Sequence, residues 1–238
     1  NERVYQVNVE GAKNIIQKTK EINAKLVYVS SVHAIEEKVN NEVMDENASF
    51  DSNKIVGLYA KTKAETTRYV FNEVKTNNLN ACVVFPSGLL GVNDFTNTNM
   101  TVLIKKILNK KLPSVTDGGY DFVDVRDVAR GVINACIKGK KGEGYILSGE
   151  YVSIRKIADL VCEYGGIKPI KRIVSINMVK YIAPLFEIYY KFRKKTPLFT
   201  KYSLYTLKAN ANFTNEKAKK ELDYQTRSIK YNKKISNL

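Results

Sequence analysis

The chain has 238 residues, 44% of them hydrophobic and 26% charged, enough to bury a core in one large domain or two small ones. Its 39 Lys and Arg against 24 Asp and Glu give a net charge of +15, with 13 Gly, three Cys and no Trp. These figures exclude a disordered chain, a collagen-like repeat and a membrane bundle.

Val9, Ala12, Ile15 and Ile16 recur at helical spacing, so Val7 to Lys20 reads as a helix with one apolar stripe. Lys25 to Ser31 is short and densely apolar, as a buried parallel strand should be. The polar stretch 36–54 reads as a surface loop, Leu58 to Val74 as a helix, and Asn80 to Pro86 as a second buried strand stopped by its proline. Strand, helix, strand at this spacing is a right-handed parallel crossover, covered by helices on both faces. Met100 to Lys110 and Asp127 to Ile137 are further helices, 145–148 is a short strand, and Ser153 caps a helix that Gly165 and Gly166 end. Beyond Pro169 the chain turns helical, aromatic and basic. The fold class is α/β: a partial doubly wound parallel sheet over 1–165, then a smaller, mostly helical lobe over 166–238.

Ten of the fifteen excess positive charges fall in the last 48 residues, where 13 Lys or Arg face Glu216, Glu221 and Asp223. Lys dominates and no nucleic-acid module is present, so a solvated basic face is expected rather than a specific nucleic-acid site. Asn177, Lys180, Pro184 and Glu187 break the most apolar late stretch, which leaves no transmembrane segment. Cys82, Cys136 and Cys162 are odd in number and sit in apolar surroundings, as buried thiols of a reduced, cytoplasmic protein would. The chain opens at Asn1 without a start Met, as a piece of a longer protein would.

Tyr59 and Lys63 stand four apart on a predicted helix, hence on one face about 6 Å apart along the axis. A phenol serves as an acid–base group near neutral pH when a fixed cation stabilises its phenolate, and Lys63 is placed for that. Tyr28-Val29-Ser30-Ser31 ends one strand and Phe85-Pro86-Ser87-Gly88 ends the next, and ligands of parallel sheets gather at those carboxyl ends. Gly88 and Gly91 allow a flat ring close to the backbone.

Five runs together, Asn8 to Gly11, Tyr28 to Ser31, Tyr59 to Lys63, Pro86 to Gly91 and Phe122 to Ala129, resemble the extended short-chain dehydrogenase/reductase family. The resemblance is to its dihydroflavonol reductase and 3β-hydroxysteroid dehydrogenase branch, and covers about residues 5 to 165. It implies a Rossmann-like fold, NAD or NADP as cofactor, and a small-molecule alcohol or ketone as substrate, with homodimerisation possible. By the same resemblance Tyr59 is the catalytic acid–base, Lys63 holds the ribose hydroxyls, and Ser31 orients the substrate oxygen with Ser30 as second choice. Pro86, Ser87 and Gly88 line the nicotinamide, and Asn8 takes a structural or proton-relay place. Ala12 and Phe85 depart from the family pattern.

No Gly-x-x-Gly-x-x-Gly follows a strand, and Gly139 to Gly144 reads as a turn. In the family that motif belongs to the first βα unit, so about 100 residues are expected ahead of Asn1, at about 30 per unit. The fragment alone is then expected to be unstable or inactive, with an unpaired edge on the strand at 25–31. His33 reads as a structural residue or a substrate contact, and Asp127 as a helix cap. Tyr181, Phe186, Tyr189, Tyr190 and Phe192 read as small-lobe core. The function read from the resemblance is hydride transfer between nicotinamide and a secondary alcohol or ketone. A nucleotide-sugar epimerase or dehydratase and a non-enzymatic nucleotide sensor are the alternatives.

Overall fold

All six residues of Ala81–Pro86 are buried, as in a strand covered on both faces, and they form the central strand, β2. β1 (Leu26–Val29) lies parallel to it on one side and β6 (Gly144–Leu147) on the other. The registers place Leu26 against Ala81 and Val83 against Gly144. The computed structural model describes residues 2–178 and 201–231.

Helices supply the covers. The first is continuous over α1 (Glu2–Tyr5), a π-helical turn at Gln6–Glu10, and α2 (Gly11–Glu21). The long α3 (Leu58–Asn77) is the crossover from β1 to β2 and ends where Asn78 adopts a left-handed conformation. α5 (Val125–Lys138) and α8 (Glu216–Leu222) pack on the sheet, enclosing Cys82, Val84, Val128, Leu147 and Leu222 in one apolar cluster. This gives the expected α/β class, with helix-covered parallel strands.

A second sheet runs in the order β3 (Gly88–Leu90), β5 (Gly119–Asp124), β7 (Glu150–Ser153), with β5 antiparallel to β7. At Gly119 a Cβ would lie 2.7 Å from the Tyr151 ring, so the close approach of these strands requires glycine. β4 (Val115–Thr116) pairs with β8 (Ile173–Val174), and α4 (Asn99–Leu108) packs on α6 (Ile154–Tyr164). The Ser153 hydroxyl caps α6 as expected, accepting from the Lys156 amide at 3.1 Å. α7 (Lys201–Thr206) brings Leu204 against Ile176.

The contacts divide the chain into Asn1–Leu89, Val123–Gly149 and Asn212–Arg227 as one unit, and Leu90–Phe122, Glu150–Ala211 and Ser228–Leu238 as the other. A single cut near 165 does not describe this division, because residues 212–227 return to the first unit. The return is chemical: Arg227 donates from its backbone and its guanidinium to Asp127, at 2.9 and 2.8 Å.

Several local expectations are corrected. α5 is capped by Asp124, whose carboxylate accepts from the Arg126 amide at 2.8 Å, while Asp127 is the buried partner of Arg227. Helix α5 starts two residues earlier than its apolar pattern, and that moves the cap. The stretch 36–54 is not merely a surface loop. Met44 is buried, Phe50 stacks on Phe85 at 5.4 Å, and Glu46 accepts from the Ile146 amide at 2.8 Å. Cys82 and Cys162 are buried as expected, but Cys136 is exposed. β1 is shorter than expected and only half buried, since it stands at the edge of its sheet. The aromatic stripe from Tyr181 to Phe192 lies outside the described residues.

Candidate functional site

Strand β1 and helix α3 build the site between them. Side chains alternate along a strand, so Tyr28 and Ser30 share one face of β1 and meet the row Tyr59, Lys63, Thr66 and Thr67 on α3. The Ser30 and Thr67 hydroxyls lie 2.7 Å apart, buried. Thr67 gives its proton to the Lys63 carbonyl at 2.8 Å, so Ser30 is the donor of the pair. Ser30 is thereby spent on holding β1 to α3. Ser31, at the carboxyl end of the strand, caps the short turn Val32–Ala34 by accepting from the His33 amide at 3.2 Å.

Tyr59 stands in the first turn of α3, one helical turn before Lys63. Tyr59 is 45% exposed, and partial desolvation raises its pKa above the ordinary 10.0 while the neighbouring Ser31 hydroxyl opposes that rise. Lys63 donates its ammonium to the Val29 carbonyl at 2.8 Å and stands 5.1 Å over the Tyr28 ring. Burial lowers its pKa from the ordinary 10.5. Tyr28 is pushed up to about 12, mainly by burial, with the Tyr59 phenol adding to the rise. The Tyr28 hydroxyl is buried and has no partner in hydrogen-bonding geometry among the described residues.

Asn8 sits inside the π-helical turn, a feature frequent at functional sites. Its amide donates to the Thr62 hydroxyl at 3.0 Å, and Thr62 donates to the Tyr59 carbonyl at 2.8 Å. Thr66 closes the ladder, donating to the carbonyls of Asn8 at 3.0 Å and Thr62 at 2.9 Å. Asn8 therefore reaches the tyrosine turn of α3 through threonines.

At the end of β2, Pro86 pairs with Leu147 and the Ser87 amide donates to the Leu147 carbonyl at 3.3 Å. The Ser87 hydroxyl is buried without a partner among the described residues. Gly88 opens β3. Phe85 is fully buried against Phe50, and so belongs to the core. Burial lowers the pKa of His33, favouring the neutral imidazole.

The structure thus ties Lys63 to β1, links Asn8 to the Tyr59 carbonyl through Thr62, turns Ser30 toward Thr67, and uses Ser31 to cap the turn at Val32–Ala34. Sequence reasoning passed over Tyr28, Thr62, Thr66 and Thr67. A signal was available for the threonines: they follow Tyr59 at helical spacing. Among the described residues no group of His, Cys, Asp or Glu could hold a metal ion, and no helix is long and apolar enough to cross a membrane.

A parallel sheet with helices on both faces, and a phenol, an ammonium and a hydroxyl near its strand ends, defines a Rossmann-type α/β protein. Residues 1–148 match the model of the NAD dependent epimerase/dehydratase family, and the chain belongs to that family. It is 28% identical over 180 residues to a Synechocystis sp. protein bearing a dihydroflavonol 4-reductase name, covering 74% of this chain and 52% of that one. It is 26% identical over 238 residues to 3beta-hydroxysteroid-dehydrogenase/decarboxylase isoform 1 of Arabidopsis thaliana, covering 92% of this chain and 54% of that one. The chain spans about half the length of these relatives. The crystal structure of gox2253 matches with a TM-score of 0.83 at 28% identity, covering 99% of this chain and 72% of that one. A nucleoside-diphosphate-sugar epimerase from Pseudomonas aeruginosa shares the fold at 18% identity, with a TM-score of 0.75 and cover of 97% and 72%.

Proposed function

We propose that the polypeptide carrying these residues is an NAD(P)-dependent oxidoreductase acting on a secondary alcohol or ketone, with Tyr59 as its acid–base group. The observation that supports this reading is the half-buried Lys63, whose ammonium donates to the Val29 carbonyl at the carboxyl end of β1 at 2.8 Å, one helical turn from Tyr59. The relatives named for a dihydroflavonol reductase and a 3β-hydroxysteroid dehydrogenase favour a ring-borne hydroxyl or carbonyl over a sugar nucleotide.

The residues present suit the nicotinamide end of the cofactor. Ser87 offers a buried hydroxyl that no described residue satisfies, next to Pro86 and Gly88. Lys63 spends one N–H on Val29 and has others for ribose hydroxyls. When bound, the nicotinamide supplies or accepts the hydride. The Gly-rich turn that would cradle the pyrophosphate is proposed to come from a preceding segment, and turnover is proposed for the polypeptide with both parts.

In reduction Tyr59 gives its phenolic proton to the substrate oxygen as charge builds there. Ser31 accepts from the His33 amide, so its own proton is free to be donated to the same oxygen. A phenol with a raised pKa is protonated at neutral pH, the form reduction needs. Oxidation needs the phenolate instead, which the Lys63 charge favours. Oxidation should therefore speed up as pH rises toward the Tyr59 pKa, and reduction should slow above it.

The test is Tyr59→Phe in the whole polypeptide, with NADH or NADPH and a panel of dihydroflavonols and 3-ketosteroids followed by nucleotide absorbance. Turnover should fall by about 10²- to 10⁴-fold while nucleotide affinity is essentially unchanged. A phenylalanine variant as fast as the parent overturns the reading. Inversion of a nucleotide sugar without net change in the cofactor would assign the site to epimerisation instead.

A further inference from the structure

Tyr28 belongs to the strand motif, yet the chemistry above gives it no task. Its ring lies under a lysine whose four-carbon stem would otherwise be free to swing. A hydrogen bond to the Val29 carbonyl fixes one N–H of Lys63 but leaves rotation about that contact. The negative face of an aromatic ring attracts an ammonium without consuming an N–H, so a second restraint arises while the remaining donors stay available. The pleat of β1 delivers the ring to this spot. Ser30, two residues on, is locked to Thr67, which stands four residues beyond Lys63 on the same helix face.

The hydroxyl behaves differently. It is buried without a partner among the described residues, which costs stability and adds nothing to a ring contact that phenylalanine would make equally well. Ring and hydroxyl are therefore separable by substitution.

We propose that Tyr28 is a positioning residue for Lys63, its ring face holding the ammonium 5.1 Å above the centroid while Val29 anchors one N–H. The functional consequence rests on the reading of Lys63 as the ribose-binding cation; the placement of Lys63 by the ring does not. With the ring present the ammonium is pre-set toward the ligand. Without it, Lys63 pays an ordering cost on every binding event.

The experiment replaces Tyr28 in the whole polypeptide by Phe, by Leu, and by phenylalanines bearing one, two and three ring fluorines, which drain the ring face of negative charge at nearly constant shape. The direct readout is the titration midpoint of the Lys63 Nζ resonance in lysine-15N-labelled protein, assigned by its loss in Lys63→Gln. The second is the dissociation constant for NADH or NADPH. Tyr28→Phe is expected to keep the Lys63 midpoint. Tyr28→Leu is expected to lower it and to weaken nucleotide binding roughly two- to thirtyfold. The fluorinated series should step the midpoint down with each fluorine, and it decides the matter if the leucine variant fails to fold. A midpoint indifferent to fluorination overturns the proposal, as does a Tyr28→Phe variant that loses it. Unchanged turnover in Tyr59→Phe would sink the catalytic reading, whereas the placement of Lys63 by the ring stands or falls on the Nζ titration alone.

Discussion

The two faces of the β1, β2, β6 sheet are made of different materials. Under α5 and α8 the contact is apolar: Cys82, Val84, Val128, Ala135, Leu147, Ala218 and Leu222 meet with few polar atoms. α3 buries Ala60, Thr62, Ala64, Thr66, Thr67 and Val70, and one hydroxyl pair, Ser30 with Thr67, crosses from the strand end to the helix. Threonine can be buried cheaply in a helix because its proton returns to the carbonyl four residues back, as Thr66 and Thr67 both show. Apolar packing is non-directional and rewards area, whereas each hydroxyl bond fixes an angle and a partner. The first face therefore rests on area, while the second adds two directional ties, Ser30 to Thr67 and Lys63 to the Val29 carbonyl, that fix α3 against the strand end.

Breaking the apolar face should have the largest effect on stability. Leu222→Ala empties a fully buried site and should cost about 2–5 kcal/mol by urea unfolding, with the Tyr59 environment unaltered in the variant that remains folded. An equal loss on both faces would erase the contrast. Asp127→Asn removes the charge that receives Arg227 on a carboxylate 2% exposed, and should cost about 1–3 kcal/mol, read as faster proteolysis within 212–227. On the hydroxyl face Thr67→Val keeps shape but leaves the Ser30 hydroxyl buried without its acceptor. The expected loss is about 1–2 kcal/mol, accompanied by a shift of the Lys63 Nζ resonance that Leu222→Ala does not produce.

The smallest effect is a titration. Tyr28 holds its proton in the folded chain up to about 12, while the unfolded chain releases it near 10.0. Above 10.0 the unfolded state is therefore favoured progressively, and this part of the stability is full below 10.0 and lost as pH rises toward about 12. Alkaline unfolding curves should show a shallower slope in Tyr28→Phe than in the parent. Identical slopes would place the Tyr28 phenol in solvent rather than in the hydroxyl face.

Strong periodic signals were legible in the amino-acid order. The unbroken apolar run Ala81–Pro86 could only be a strand buried on both sides, and the helical spacing of 58–74 placed Tyr59 and Lys63 on one face. The cap of α5 was not legible in the same way, because Asp124 and Asp127 lie within one turn and only the true helix start chooses between them. Met44 and Phe50 sit in a polar stretch whose few apolar residues follow neither strand nor helix spacing, so their burial had no local pattern to announce it. The exposure of Cys136 similarly depends on which side of α5 faces the sheet.

Residue order alone determined the crossover topology, the shared face of the phenol and the ammonium, and the serines at a strand end, since these follow from periods of two and 3.6 residues. Tertiary structure decided that Ser30 is tied to Thr67, that Ser31 accepts from the His33 amide, and that Lys63 lies over Tyr28. The first and last of those assignments depend on how β1 and α3 are rotated against each other. That rotation is set by side-chain fit between elements about thirty residues apart, which no local spacing encodes.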